Sequence, residues 1–230
     1  MNRDQLYQIA EDAVREAELC AEDIPAIDLY VDQITNLVSE RLKSGSERYY
    51  DRQLTKTMIN NYSKDGLITP VKGKKYNKEQ IIQILTVYTL KNTLSIGEIK
   101  RLLQGAYSTE GFDGESLIRL YDEYLEIKDE NRQLSREILD TLMEMHQLEP
   151  SDERGFMLTV GALLSLSAFL RQIAQAMIDE KYPLPEPEEE KEEKSEKKEE
   201  KKKENEKKKR KEEAAMESEQ QAQPSEGEES

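Results

Sequence analysis

The chain has 230 residues, 36% of them hydrophobic and 36% charged, against about 45–50% apolar and about 25% charged in ordinary globular domains, so part of it is expected not to fold. One cysteine (Cys20) and one histidine (His146) exclude an internal disulfide framework and any multi-cysteine zinc site, and a reducing cytoplasm is the simplest location. The net charge of −15 hides an asymmetry: residues 52–104 hold ten Lys and Arg against three Asp and Glu, while the stretches on either side are acidic. A basic block on an acidic chain is an electrostatic footprint for a polyanion.

Residues 4–19 place Leu6, Ile9, Ala10, Ala13, Val14 and Ala17 on one stripe at helical spacing, which predicts an amphipathic helix docking on the rest of the chain. After Pro25, Asp28 is expected to cap a second helix that turns Leu29, Ile34, Leu37, Val38 and Leu42 inward and stops at Ser44-Gly45. Thr55 is a good N-cap for a third, with Leu54 and Ile59 at the two positions of a hydrophobic staple. Met58, Ile59 and Tyr62 then face inward, and Thr57, Asn60, Asn61 and Lys64 recur on the opposite side until Gly66 ends the helix. Asparagine pairs in a bidentate way with adenine, and Thr and Lys bond phosphate oxygens.

Next, residues 67–71 and 74–76 flank Lys72-Gly73, predicting an extended-turn-extended hairpin with Lys72, Lys74 and Lys75 at its tip. A basic hairpin directly after a polar-faced helix is the layout of a wing beside a recognition helix. The pairs Asn77 with Gln80 and Ser95 with Glu98 are capping boxes that start helices at Lys78 and Ile96. Ile81, Ile82, Leu85, Tyr88, Leu94, Ile99, Leu102 and Leu103 give these helices a shared core.

The string 54–68, LTKTMINNYSKDGLI, followed by Lys75-Tyr76 and by 94–99, LSIGEI, resembles the winged helix-turn-helix of MerR-type regulators. In that family a tyrosine and a Gly-Leu close the recognition helix, as Tyr62 and Gly66-Leu67 would here. The stretch 27–178 is also similar to uncharacterised Bacillales proteins of the YkrK-like family, which are thought to be transcriptional regulators. The resemblance implies a DNA-binding role. The cysteines of the metal-sensing MerR proteins are missing near the dimerisation helix, so metal sensing is not carried over and no cofactor is expected.

Residues 114–148 supply a dimeriser. Leu117, Leu120, Tyr124, Ile127, Asn131, Leu134 and Ile138 follow alternating steps of 3 and 4, and a polar Asn131 on such a seam sets register and oligomer state. Tyr121, Leu125, Leu139 and Leu142 widen the apolar face, which leaves packing within one chain as the alternative. The helix over 153–179 is expected to fill that width with Phe156, Val160, Leu163, Leu164, Leu170, Ile173 and Met177. Its 16 uncharged residues 155–170 fall short of the ~20 that span a bilayer, so it reads as a buried or dimer-facing helix rather than a membrane span. Beyond Tyr182, three prolines and a Glu/Lys run predict a disordered tail, its basic cluster 207–211 included.

Catalysis is not expected. The pairs Asp122-Glu123 and Asp129-Glu130 lie on solvated helical faces, His146 stands alone, and the acidic neighbours Glu18 and Glu22 are expected to raise the pKa of the Cys20 thiol. The sequence therefore predicts an all-α fold with a small β-hairpin wing. Its parts are an N-terminal helix (1–26), a winged helix-turn-helix (27–107), a helical dimerisation or effector region (108–182) and a tail (183–230). The expected function is a cytoplasmic, homodimeric, sequence-specific transcriptional regulator, most simply a repressor, that binds double-stranded DNA. Base edges fall to Thr57, Asn60 and Asn61, the Thr55 hydroxyl joins the DNA-facing set, and phosphates fall to Lys56, Lys64, Lys72, Lys74, Lys75 and Lys78. The alternative is a protein-interaction adaptor whose lysines meet an acidic partner.

Overall fold

Leu29 and Tyr30, read from the sequence as the start of a helix, form instead a short strand (β1, Leu29–Tyr30) in the computed structural model. Its partner is β2 (Lys75–Tyr76), antiparallel, with Leu29 opposite Tyr76 and Tyr30 opposite Lys75. The structure describes residues 1–14, 18–42, 53–71 and 73–184. Ser44, Gly45, Lys72, Ala17 and the tail beyond Leu184, with its basic cluster, lie outside the described residues.

Among the described residues the chain is mostly helical, with seven α-helices and this one two-stranded sheet. The helices are α1 (Arg3–Val14), α2 (Val31–Leu42), α3 (Lys56–Lys64), α4 (Lys78–Leu90), α5 (Ile96–Tyr107), α6 (Gly114–Met145) and α7 (Glu153–Lys181). Asp28 does not cap α2. Gln33 Oε1 accepts from the Tyr30 N–H at 2.9 Å and closes the start of the helix two residues later.

The expected hairpin between 67–71 and 74–76 is not formed, for two local reasons. Pro70 has no N–H to give to a ladder. Three of the arm's backbone polar groups are also taken by α4, where Gln80 Nε2 donates to the carbonyls of Thr69 and Pro70 and Gln83 Oε1 accepts from the Thr69 N–H at 2.8 Å. Lys75 and Tyr76 then pair with the one free strand nearby, β1.

The main core gathers α2, α3, α4 and α5 with the first turns of α6 and the segment at Leu19, Ala21 and Ile24. Helix α4 is its centre, with Ile81, Ile82, Ile84 and Val87 fully enclosed. A helix apolar all round belongs in such a position. Both expected capping boxes are present, Asn77 with Gln80 and Ser95 with Glu98.

A second, smaller cluster joins α1 to the far end of α6 through Leu6, Leu139, Met143 and Leu148. Along the same side, Arg132 Nε donates to the Val14 carbonyl and Lys128 and Arg132 pair with Glu18. The width of α6 that the sequence assigned to the helix over 153–179 is thus filled by the main core at Tyr121 and Leu125 and by α1 at Leu139, and of the α1 stripe only Leu6 is buried.

Helix α7 differs most from expectation. Phe156, Val160, Leu163, Leu164, Leu170, Ile173 and Met177, the expected packing side, are all exposed, and only Gly155, Thr159 and Ile178 of the helix are buried. By length and composition it is the one described helix that could cross a membrane. Contacts divide the chain after Tyr182, and Leu19, Ala21, Leu117 and Tyr121 belong to the same core as α3 to α5.

Candidate nucleic-acid interface

Helix α3 is short and held at both ends. Thr55 Oγ1 accepts from the Met58 N–H at the start. At the end, Gly66 takes φ +69°, the Leu67 N–H donates to the Tyr62 carbonyl at 2.9 Å, and the Gly66 N–H donates to the Ser63 carbonyl. This is the paired closure that a left-handed C′ glycine permits. Leu54 and Ile59, the staple pair, are both buried, as is Tyr62.

Consequently Thr57, Asn60, Asn61 and Lys64 are exposed on the outer face. Asn60 lines a cleft of about 930 Å³ whose other wall includes Gly73 and Lys74. The polar helix and the lysine-bearing turn therefore share one concave surface. Asn61 lies outside this cleft, on the helix crest.

The cations are not equivalent. Lys56 is paired with Asp32 of α2, which neutralises it, and Thr55 spends its acceptor on the cap. Lys75 Nζ sits 5.0 Å from the centre of the Tyr30 ring across the strand pair. Lys64, Lys74, Lys75 and Lys78 form no ion pair with a described residue, Lys78 being half-buried and the others exposed. Two cations that sequence reasoning passed over also lie beside α3. Lys100 of α5 brings its Nζ within 3.7 Å of where a Cβ on Gly66 would stand, against the carbonyl end of α3, where a cation is favourable. Lys91 reaches the Met58 sulfur and the Tyr88 ring.

Behind this surface lies a buried polar chain that the sequence did not single out. Gln83, 1% exposed, donates from Nε2 to the Tyr107 hydroxyl at 2.8 Å, and that hydroxyl donates to Glu79 Oε1 at 2.7 Å. The signal was available: Gln83 stands within the run Ile81-Ile82-Gln83-Ile84-Leu85, one turn from Gln80, where a buried glutamine must be matched to be tolerated.

The buried Tyr62 hydroxyl finds no hydrogen-bonding partner among the described residues. Burial, helped by the neighbouring Tyr88, pushes its pKa up from 10.0 to about 12. Below pH 10 the phenol is neutral in both folded and unfolded chains, so it adds no pH dependence. Between 10 and 12 the unfolded chain releases the proton and the folded chain keeps it. Stability is therefore expected to fall by about 1.4 kcal/mol per pH unit through that window from this group. Urea midpoints measured from pH 9 to 12 check this, and Tyr62→Phe should remove that share of the slope without loss of stability at pH 7.

At the seam of α6, Leu120, Ile127, Asn131, Leu134 and Ile138 are exposed and Tyr124 is half-buried. Leu117 is a correction: it is enclosed in the chain's own core, because the first turns of α6 pack on α4, and is closed to a partner. Cys20 donates its thiol to Asp23 Oδ2, and this carboxylate raises the thiol pKa; the acid responsible is Asp23 rather than Glu18 or Glu22.

These features define a small helical module with a two-residue strand pair, a polar short helix and a basic turn. Residues 19–124 are similar to a family described as a domain of unknown function (DUF1836). The matched span coincides with the main core, which runs from Leu19 to Tyr121, and leaves α1, most of α6 and all of α7 outside. No curated protein and no solved structure matches the chain.

Proposed function

We propose that this protein is a sequence-specific DNA-binding regulator with a winged helix-turn-helix of MerR type, acting as a cytoplasmic homodimer and most simply as a repressor. Helix α3 enters the major groove and the turn at Gly73 and Lys74 serves as the wing, holding the neighbouring backbone. The observation that carries this reading is the shared cleft: Asn60 and Lys74 face one concavity, on the one net-basic block of an acidic chain. Asn60, Asn61 and Thr57 meet base edges, whereas Lys64, Lys74, Lys75 and Lys78 meet phosphates. Lys56 reaches phosphate only by giving up Asp32, so it contributes least.

A gel shift on the DNA next to the protein's own gene tests this. Asn60→Ala or Asn61→Ala is expected to cost about 1–3 kcal/mol on the cognate site and to relax its preference. Replacing Lys74 and Lys75 together with alanine is expected to weaken binding on every sequence and to flatten the salt dependence by about 0.9 per lost contact. Equal losses on cognate and random DNA for the Asn variants would reject base reading. The absence of any shift at low salt would favour an adaptor that uses the same lysines against an acidic protein.

A further inference from the structure

A long apolar helix exposed to water is unfavourable, and α7 is one. From residue 163 to 174 no side chain of α7 is buried. At 3.6 residues per turn, Phe156, Leu158, Leu163, Leu164, Phe169 and Leu170 fall on different sides of the cylinder, and all six are exposed. A helix apolar all round needs cover on more than one side.

We propose that a second copy of this chain supplies that cover, so that α6 and α7 of two chains associate about a two-fold axis as a four-helix bundle with α7 in its interior. The proposal names the surface for the dimer of the preceding reading, and rests on that reading only for the use of two-fold symmetry.

Three observations select the occupant. The first is area. Ten large apolar side chains of α7 and five of α6 are exposed by 38 to 68%. They amount to on the order of 1,000 Å² of apolar surface per chain, at or above the ~800 Å² per partner of a stable interface. The second is self-complementarity. Residues 155–170 carry no charge, and the outward stripe of α6 at Leu120, Ile127, Leu134 and Ile138 is apolar too. A two-fold partner therefore brings an equal surface and no buried charge. Residues 186–213 hold no apolar side chain except Pro187, so that stretch of this chain offers nothing for such a surface.

The third observation is how α7 is tethered, which separates a second copy from a lipid bilayer. Its N-terminal turns bury Thr159, and Ala162 packs on the Leu139 and Met143 cluster. At its other end, Arg101 pairs with Asp179 at 2.6 Å and donates to the Tyr182 carbonyl, Gln175 donates to Glu98, and the Tyr182 ring lies against Gly105. Both ends are held by one folded unit. Helix α6, which links the same two places, carries Asp129, Glu130, Arg132, Arg136 and Glu137 along its middle. A bilayer that admitted α7 with these anchors in place would have to admit those charges, each costing several kcal/mol.

The test is the mass of the full chain in solution by sedimentation and light scattering at micromolar concentration. The wild-type chain is expected at twice 26.7 kDa. The double variant Leu164→Glu with Leu170→Glu is expected at the single-chain mass, with unchanged helical circular dichroism, since both positions are exposed in one chain. Ile9→Glu, equally exposed but on α1, should remain dimeric. As a second measurement, Leu164→Cys in a Cys20→Ser background should be captured as a covalent dimer by a short bis-maleimide, and Ile9→Cys should not. A monomeric wild type, a dimeric double variant, or no covalent dimer through position 164 overturns the proposal. So does flotation of the wild-type chain with phosphatidylcholine and phosphatidylglycerol vesicles. None of these readings involves DNA, so a dimer that fails to shift DNA rejects only the regulatory reading.

Discussion

Replacing Gly155 with alanine is expected to cost at least about 3 kcal/mol, well above the typical loss of about 1 kcal/mol for a point substitution. Alanine is the better helix former by about 1 kcal/mol, so propensity alone predicts the opposite sign. Space decides. A Cβ at position 155 would stand 1.7 Å from the Glu149 carbonyl oxygen, a backbone atom that cannot swing aside. The corner between α6 and α7 is fixed on both sides of that contact. Gln147 takes φ +51°, so that the Leu148 N–H reaches the Met143 carbonyl at 2.8 Å, Leu148 and Pro150 are buried, and Asp152 Oδ1 accepts from the Gly155 N–H at 2.7 Å. Relief of the clash must move Leu148 out of the cluster it shares with Leu6, Leu139 and Met143. A lowered urea midpoint checks the magnitude. Hydrogen exchange checks the place: protection should fall in α1 and the far end of α6 and persist in α4. A midpoint equal to wild type would show that the corner adapts.

The local devices were legible because their partners lie within a few residues. Thr55 and Met58, Asn77 and Gln80, Ser95 and Glu98, and Gly66 after Tyr62 are all spans of three or four positions, and each formed. The outer face of α3 was legible for the same reason, since helical period alone separates Asn60 and Asn61 from Ile59 and Tyr62. What failed needed distant partners. Lys75-Tyr76 pairs with a strand some 45 residues earlier, and Lys56 is claimed by Asp32, which no local pattern announces. Both arms of the wing read as extended, although Pro70 argues against a ladder there. Helix α7 misled for a different reason. Its composition says that it must be covered, and among the described residues only its two ends are.

The same distance problem hid Gln83, and a variant there is expected to have two separable consequences. In Gln83→Ala a fully enclosed side chain is removed, leaving a cavity at the centre of α4 and unpairing the Thr69 N–H and one side of the Tyr107 hydroxyl. Core truncations of this size cost about 2–5 kcal/mol, and each stranded polar group adds about 1–3 kcal/mol, so a loss of at least roughly 4 kcal/mol is expected by urea unfolding. The second consequence falls on the surface. Gln83 anchors residue 69 of the arm that leads into the turn at Gly73 and Lys74, and it lines the same cleft as Asn60. It is a positioning residue, since its groups are spent on Thr69, Tyr107 and Glu79. With only Gln80 left to tie it to α4, the arm holds the lysines beside α3 less firmly. Under the DNA-binding reading, affinity should then fall to a similar degree on cognate and random sequences, with a flatter salt slope, while the preference written by Asn60 and Asn61 survives. Gln83→Glu separates the two effects. It keeps the volume and the acceptor for Thr69 but brings a second carboxylate against Glu79 and loses the donor to Tyr107, so it should destabilise the fold while leaving the salt slope of the surviving folded protein near that of the wild type. A Gln83→Ala protein with an unchanged salt slope would show that the arm is held by Gln80 alone.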